Sequence, residues 1–179
     1  MSKLIAVSIG DIKGIGIEIL INQWKRKKIK DFVLITNHKL FKKYILSKKI
    51  SIKIHKSTFH NKKLTFSQNE FNIFDIKASN YNQNTLSSIK ESYKLVKKKI
   101  FIGLVTLPIN KENINKINSK FIDQTSYYTK IDKKEVSNMV FNYKKIFFVP
   151  LTTHIKISNV SKEFKKTSKF FEKIKSLNN

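Results

Sequence analysis

Glycines 10, 14 and 16 flank an aspartate in the run Ser8-Ile9-Gly10-Asp11-Ile12-Lys13-Gly14-Ile15-Gly16-Ile17-Glu18, directly after an apolar stretch. Glycine at the end of a strand permits backbone conformations closed to other residues and lets a ligand approach the main chain. A helix behind it would aim N–H groups at an anion. The run is not a P-loop, because no Lys-Ser or Lys-Thr follows. It also lacks the third glycine of the dinucleotide fingerprint, with Glu18 and Ile19 where the pattern would need it. On these residues alone a tight strand-to-helix turn explains the run as well as a ligand site does. A second run, Leu104-Val105-Thr106-Leu107-Pro108-Ile109-Asn110-Lys111, sets a hydroxyl, an amide and an ammonium beside one another. That suits an anionic substrate or cofactor, although Asn110-Lys111 is also an ordinary helix start. The third run, Phe121-Ile122-Asp123-Gln124-Thr125-Ser126, is unremarkable by physics. The fourth is Thr152-Thr153-His154. Neutral imidazole is a common metal ligand, but a lone histidine after a strand is more often merely hydrogen-bonded. His38, His55 and His60 stand in polar, lysine-rich surroundings and form no ligand spacing.

The elements that would position these runs read as alternating strands and helices. Leu4 to Ile9 is a compact apolar strand that ends at Gly10-Asp11, and Ile17 to Trp24 follows with helical periodicity. Phe32 to Thr36 is a second strand. Asn37 can cap a helix whose Leu40, Phe41, Tyr44 and Ile45 share one face. Ile50 to His55 and the neighbourhood of Phe71, Ile73 and Asp75 alternate as half-buried strands in a more exposed part of the sheet, with polar loop from Lys56 to Glu70 between them. Leu86, Ile89, Tyr93 and Val96 recur at helical spacing, and Ile100 to Thr106 looks like a buried parallel strand. Val136 to Phe141 and Ile146 to Leu151 are further strand candidates, the latter delivering Thr152 to His154 at its C-terminal end, where open α/β sheets bind ligands. Val160, Phe164, Phe171 and Ile174 mark one face of a last, lysine-coated helix. No repeat and no Gly/Pro/Ser linker occurs, so residues 1–179 are read as one part with no internal boundary assignable.

Composition sets outer limits. The 40% hydrophobic content argues against disorder, and the absence of cysteine excludes disulfides, thiolate metal sites and a thiol nucleophile. The first residues do not form a secretory signal, no stretch approaches a membrane span, and a cytoplasmic location is expected. Against 12 Asp+Glu stand 37 Lys+Arg, a net charge of +25. That would suit a polyanion, but Arg26 is the single arginine and the lysines are spread along the whole chain. Enrichment in Lys, Ile, Asn and Phe together fits drift toward AT-rich codons, so a nucleic-acid module is the disfavoured alternative.

Taken in order, the four runs resemble the 4-hydroxythreonine-4-phosphate dehydrogenase family of vitamin B6 biosynthesis. Gly10-Asp11, Gly14-Ile15-Gly16 and Glu18 look like its T-P-G-D-P-x-G-I-G-P-E opening, and Thr106 with Pro108-Ile109-Asn110-Lys111 looks like its T-G-P-I-N-K. Phe121 to Ser126 falls at F-x-G-H-T-E, and Thr152-Thr153-His154 matches T-T-H. The resemblance implies an α/β fold of the isocitrate/isopropylmalate dehydrogenase type, a layered sheet with flanking helices, incomplete at the C-terminus. It implies NAD or NADP as cofactor together with a divalent metal (Zn, Mg or Co), His154 as one of three metal histidines, and Gln124 and Thr125 at the substrate. As partners it implies a phosphorylated hydroxy amino acid and either a homodimer mate or a separately encoded C-terminal half, with no membrane. The departures are Gln124 in place of the family's histidine, Asp123 in place of its glycine, Ser126 in place of its glutamate, and Leu107 in place of the T-G-P glycine, where a side chain is expected to intrude. A non-catalytic remnant of that enzyme is the alternative.

Overall fold

The apolar runs at the start of the chain become neighbouring strands of one parallel sheet in the computed structural model, which describes residues 3–61, 63–134, 137–152, 155–164, 171–172 and 174–175. The chain divides into two compact units, residues 1–121 and 122–179. The division falls inside the third run of candidate residues, where composition carries no linker.

The first unit runs β1 (Ile5–Ser8), α1 (Ile15–Lys25), β2 (Phe32–Thr36), α2 (His38–Ser47), β3 (Ile54–Ser57), β4 (Phe59–His60), β5 (Lys63–Leu64), β6 (Phe71–Asp75), α3 (Tyr81–Lys97), β7 (Gly103–Thr106) and α4 (Lys111–Asn115). Five strands form a parallel sheet in the order β3-β6-β2-β1-β7. Alternation along the central strands sends Val7, Phe32, Leu34, Phe71 and Ile73 into a core shared with Ile17, Ile21, Phe41 and Ile45 of α1 and α2. Ala6, Val33 and Ile35 point the other way, with Leu95 of α3 and with Phe101. The sheet is thus covered on both faces, as a parallel sheet requires.

Several elements differ from the sequence reading. The strand expected from Ile50 begins at Ile54, and Lys56 to Glu70 holds a short antiparallel hairpin, β4 with β5, as well as loop. Phe71 and Ile73 are fully buried, because β6 lies between β3 and β2 and not in an exposed part of the sheet. β7 is an edge strand of the described sheet, with Val105 47% exposed. On α3 the buried face is Asn84, Thr85, Ser88, Ile89, Ser92 and Leu95, while Leu86, Tyr93 and Val96 are half-buried. Apolar periodicity misplaced that face because its contacts are mostly hydrogen bonds.

Helix ends are set by local chemistry. Asn37 caps α2 by accepting from the Leu40 N–H at 3.1 Å, as expected. Four helices end on a lysine in the left-handed region that usually takes glycine: Lys27 (φ 54°) after α1, Lys49 (φ 53°) after α2, Lys99 (φ 58°) after α3 and Lys133 (φ 54°) after α5 (Gln124–Ile131). Each donates its N–H three residues back, and the following residue donates five back, as in Lys99 N to Val96 O and Ile100 N to Leu95 O. This is the Schellman closure, made here at about 1 kcal/mol of backbone cost per lysine.

The second unit contains α5, β8 (Phe141–Tyr143), β9 (Ile146–Phe148) and α6 (Ile157–Phe164). The two strands pair antiparallel as a hairpin, and the chain turns at Lys144 (φ 54°). No residue of these four elements is buried.

Candidate functional site

The first two candidate runs meet at the C-terminal end of the parallel sheet. β1 and β7 are neighbours in register, Ser8 beside Thr106, and the turns that leave them are locked together. The Asp11 N–H donates to Pro108 O at 2.8 Å, and the Leu107 N–H donates to Ser8 O at 3.2 Å. Gly10 has φ +62°, and a Cβ there would stand 2.4 Å from Pro108 O. A Cβ on Gly16 would stand 2.7 Å from Pro108 Cδ. Both glycines are therefore required by the chain's own packing, with no ligand needed to explain them.

Leu107 does not intrude on this edge. Its side chain is buried at 9% exposure in the core with Val7, Ile9 and Ile17, and its φ is not positive, so the backbone tolerates a side chain there. Glu18 is also accounted for locally. It accepts from Lys48 Nζ at 3.2 Å and from Tyr44 OH at 3.4 Å, fastening α1 to α2. Burial and the Glu18 charge push the Tyr44 phenol up to about 12.

Behind the turns runs a set of polar contacts that apolar periodicity gave no reason to expect. Ser88 Oγ accepts from the Ile9 N–H and donates to Ile35 O, bridging β1 to β2. Thr85 Oγ1 donates to Gly10 O and so holds the glycine turn from below. Asn84 accepts from the Asn37 N–H at 2.8 Å and donates to Thr36 Oγ1 at 3.0 Å. Asn37 in turn donates to Ile76 O at 2.7 Å. One face of α3 thus satisfies the backbone groups that β1 and β2 release at their ends, which would otherwise be buried without partners. The Ser8 hydroxyl is fully buried, with no hydrogen-bond partner among the described residues. At the end of β6, burial would raise the Asp75 carboxyl, but the His38 N–H at 2.8 Å and Lys56 Nζ at 2.9 Å outweigh it and hold the pKa below its usual value.

Among the other expected residues, Gln124 and Thr125 open α5 in the second unit, Gln124 half-buried and Thr125 exposed. The Asp123 carboxylate caps that helix, accepting from Ser126 N at 2.7 Å and from Ser126 Oγ at 3.0 Å. A negative charge therefore sits at the N-terminal end of α5, where it counters that helix's attraction for an anion. His154 lies outside the described residues, as does Thr153. Among the described residues no three His, Cys, Asp or Glu side chains gather to hold a metal ion, so those residues do not fit a metal centre. No helix among them is long and apolar enough to cross a membrane.

Loops leaving adjacent strands to opposite faces, β1 toward α1 and β7 toward α4, make a topological switch point. The fold is thus an open α/β sheet of the kind that binds ligands beyond its strand ends. Residues 28–179 match the family described as pyridoxal phosphate biosynthetic protein PdxA, and the chain belongs to that family. The matched span begins after α1, so the first glycine run lies outside it. The fold is similar to that of a 4-hydroxythreonine-4-phosphate dehydrogenase from Klebsiella pneumoniae, with TM-score 0.77 and 22% identity over 93% of this chain and 54% of that one. It is also similar to a 4-hydroxythreonine-4-phosphate dehydrogenase from Burkholderia phymatum, with TM-score 0.70 and 17% identity over 89% of this chain and 52% of that one. The chain spans about half the length of these solved structures. No curated protein matches it significantly.

Proposed function

We propose that the chain serves pyridoxal phosphate synthesis as part of an NAD- or NADP-dependent dehydrogenase. In this reading 4-phosphooxy-L-threonine is oxidised to 2-amino-3-oxo-4-phosphooxybutanoate, which loses CO₂ to give 3-amino-2-oxopropyl phosphate. The observation that carries the reading is the family match over residues 28–179, which takes in the second, third and fourth candidate runs. Thr125 offers its hydroxyl and Gln124 its amide N–H groups to the substrate, and both can donate to phosphate oxygens. His154 is a proposed ligand for a divalent metal, and the remaining ligands would come from outside these 179 residues.

A second reading, a family member without catalysis, is favoured by one specific observation. The Asp123 carboxylate takes the Ser126 N–H at 2.7 Å and sets a negative charge against any phosphate at the start of α5. The test is formation of reduced nicotinamide from 4-phosphooxy-L-threonine with NAD or NADP and Zn²⁺ or Mg²⁺. The purified chain alone is expected to give none. Co-expression with the C-terminal half of a full-length relative is expected to give turnover that a His154→Ala variant loses. Turnover by the chain alone above that variant would refute the need for a partner, and none in either format would establish the second reading.

A further inference from the structure

At the edge of the sheet opposite the joined turns, where β2, β3 and β6 begin, lies a groove of about 610 Å³. A cavity of about 220 Å³ adjoins it, and the two share Trp24, Lys30, Gln68 and Asn69 as lining. The larger volume falls within the roughly 300–1,000 Å³ of small-molecule sites. We infer that this groove binds a nucleoside phosphate, its base against the Trp24 indole and its phosphate among Lys25, Lys27, Lys30 and Lys53.

Three observations point to that chemistry. Trp24 meets Phe71 edge-on, centroids 5.3 Å apart at 86°, so the ring is fixed in place by the core while it lines both cavities. An indole held by its surroundings is a low-entropy stacking surface for a planar base. The four lysines lining the larger groove have no carboxylate within ion-pair distance among the described residues, unlike Lys48, Lys56 and Lys94, and no acidic residue lines that groove. They come from three separate segments: the end of α1, the approach to β2 and the approach to β3. Finally, the Gln68 side-chain amide stands on the same lining and can hydrogen-bond a base edge or a sugar hydroxyl. Asp31 enters on the side of the smaller cavity, where it can accept from a sugar hydroxyl. The site is independent of the dehydrogenase reading, because it lies at the other end of the strands.

Trp24 is the single tryptophan of the chain, so its fluorescence reports on this groove alone. Titration of the full chain with adenosine monophosphate is expected to change that signal saturably. Adenosine and inorganic phosphate, each supplying half of the contacts, are expected to bind at least about tenfold more weakly. Because lysines coat the whole surface, a Lys30→Ala/Lys53→Ala double variant is compared with Lys90→Ala/Lys98→Ala, each confirmed folded by circular dichroism. The first pair is expected to weaken binding about tenfold or more, and the second to leave it unchanged. A single-stranded oligonucleotide that binds tighter with the same lysine dependence would identify nucleic acid as the source of the nucleoside phosphate. No saturable signal, equal loss in both double variants, or phosphate binding as well as the nucleotide would overturn the inference.

Discussion

Residues 3–121 and the described residues from 122 onward draw on the same stock of lysine, isoleucine and phenylalanine, yet they use it differently. In the first unit Phe32, Phe41, Phe71 and Phe101 are each at most 6% exposed, whereas Phe141, Phe147 and Phe148 in the second are 55%, 66% and 56% exposed. The difference lies in topology. Five parallel strands with helices on both faces give every alternate side chain a covered side, but a two-stranded hairpin offers an inward face only to whatever else packs on it. Apolar content is shared by both regions; a core is built by the arrangement of strands.

The sharpest way to break this comparison is a matched truncation. Phe71→Ala removes a fully buried ring at the meeting point of Trp24, Phe32 and Phe41, and is expected to cost about 3–5 kcal/mol. Phe147→Ala, at 66% exposure, should stay within about 0.5 kcal/mol. Urea denaturation followed at Trp24 and by circular dichroism measures both, and a comparable loss in the two would mean that the second unit buries its aromatics after all. A smaller contrast sits inside the first unit, between a hydroxyl that bridges two strands and one that has no partner. Ser88→Ala strands the Ile9 N–H and Ile35 O, at about 1–3 kcal/mol, whereas Ser8→Ala should be neutral or slightly stabilising in the same denaturation experiment. The smallest effect sharpens the comparison by what the two units have in common. Lys99→Gly and Lys133→Gly relieve the same left-handed closure in each, and each should gain about 0.5–1 kcal/mol locally. Hydrogen exchange of the amides ending α3 and α5 reads that gain, and an effect in one helix alone would show that tertiary context, not backbone preference, sets the cost.

What could be read from sequence follows the same division. β2 and the Asn37 cap were legible because their signals are local: an unbroken apolar run, and an amide one residue before a helical face. The joining of the glycine run with Thr106 to Lys111 was not legible, since nothing local relates Gly10 to Pro108. The buried face of α3 was not legible, because Asn84, Thr85 and Ser88 carry no apolar signal and their partners are 47 to 79 residues away in the chain. The role of Leu107 was misread for a related reason: its backbone lies beside the glycine turn, donating to Ser8 O, while its side chain belongs to the core. The hairpin of β8 with β9 was missed because the strand expected from Val136 to Phe141 meets β8 (Phe141–Tyr143) only at its last residue, and the strand expected from Ile146 to Leu151 ends at Phe148.

The α3 contacts also bear on the order in which the molecule is assembled as it is synthesised. Gly10 leaves the ribosome ahead of its partners: the Thr85 hydroxyl that holds its carbonyl and the Pro108 carbonyl that accepts the next N–H follow 75 and 98 residues later in the sequence. At roughly 5–20 residues per second, the turn waits on the order of 5–20 s for its partners. The turn after β1 is therefore completed long after it is made, and a nascent chain stalled before β7 would present β1 as an open edge.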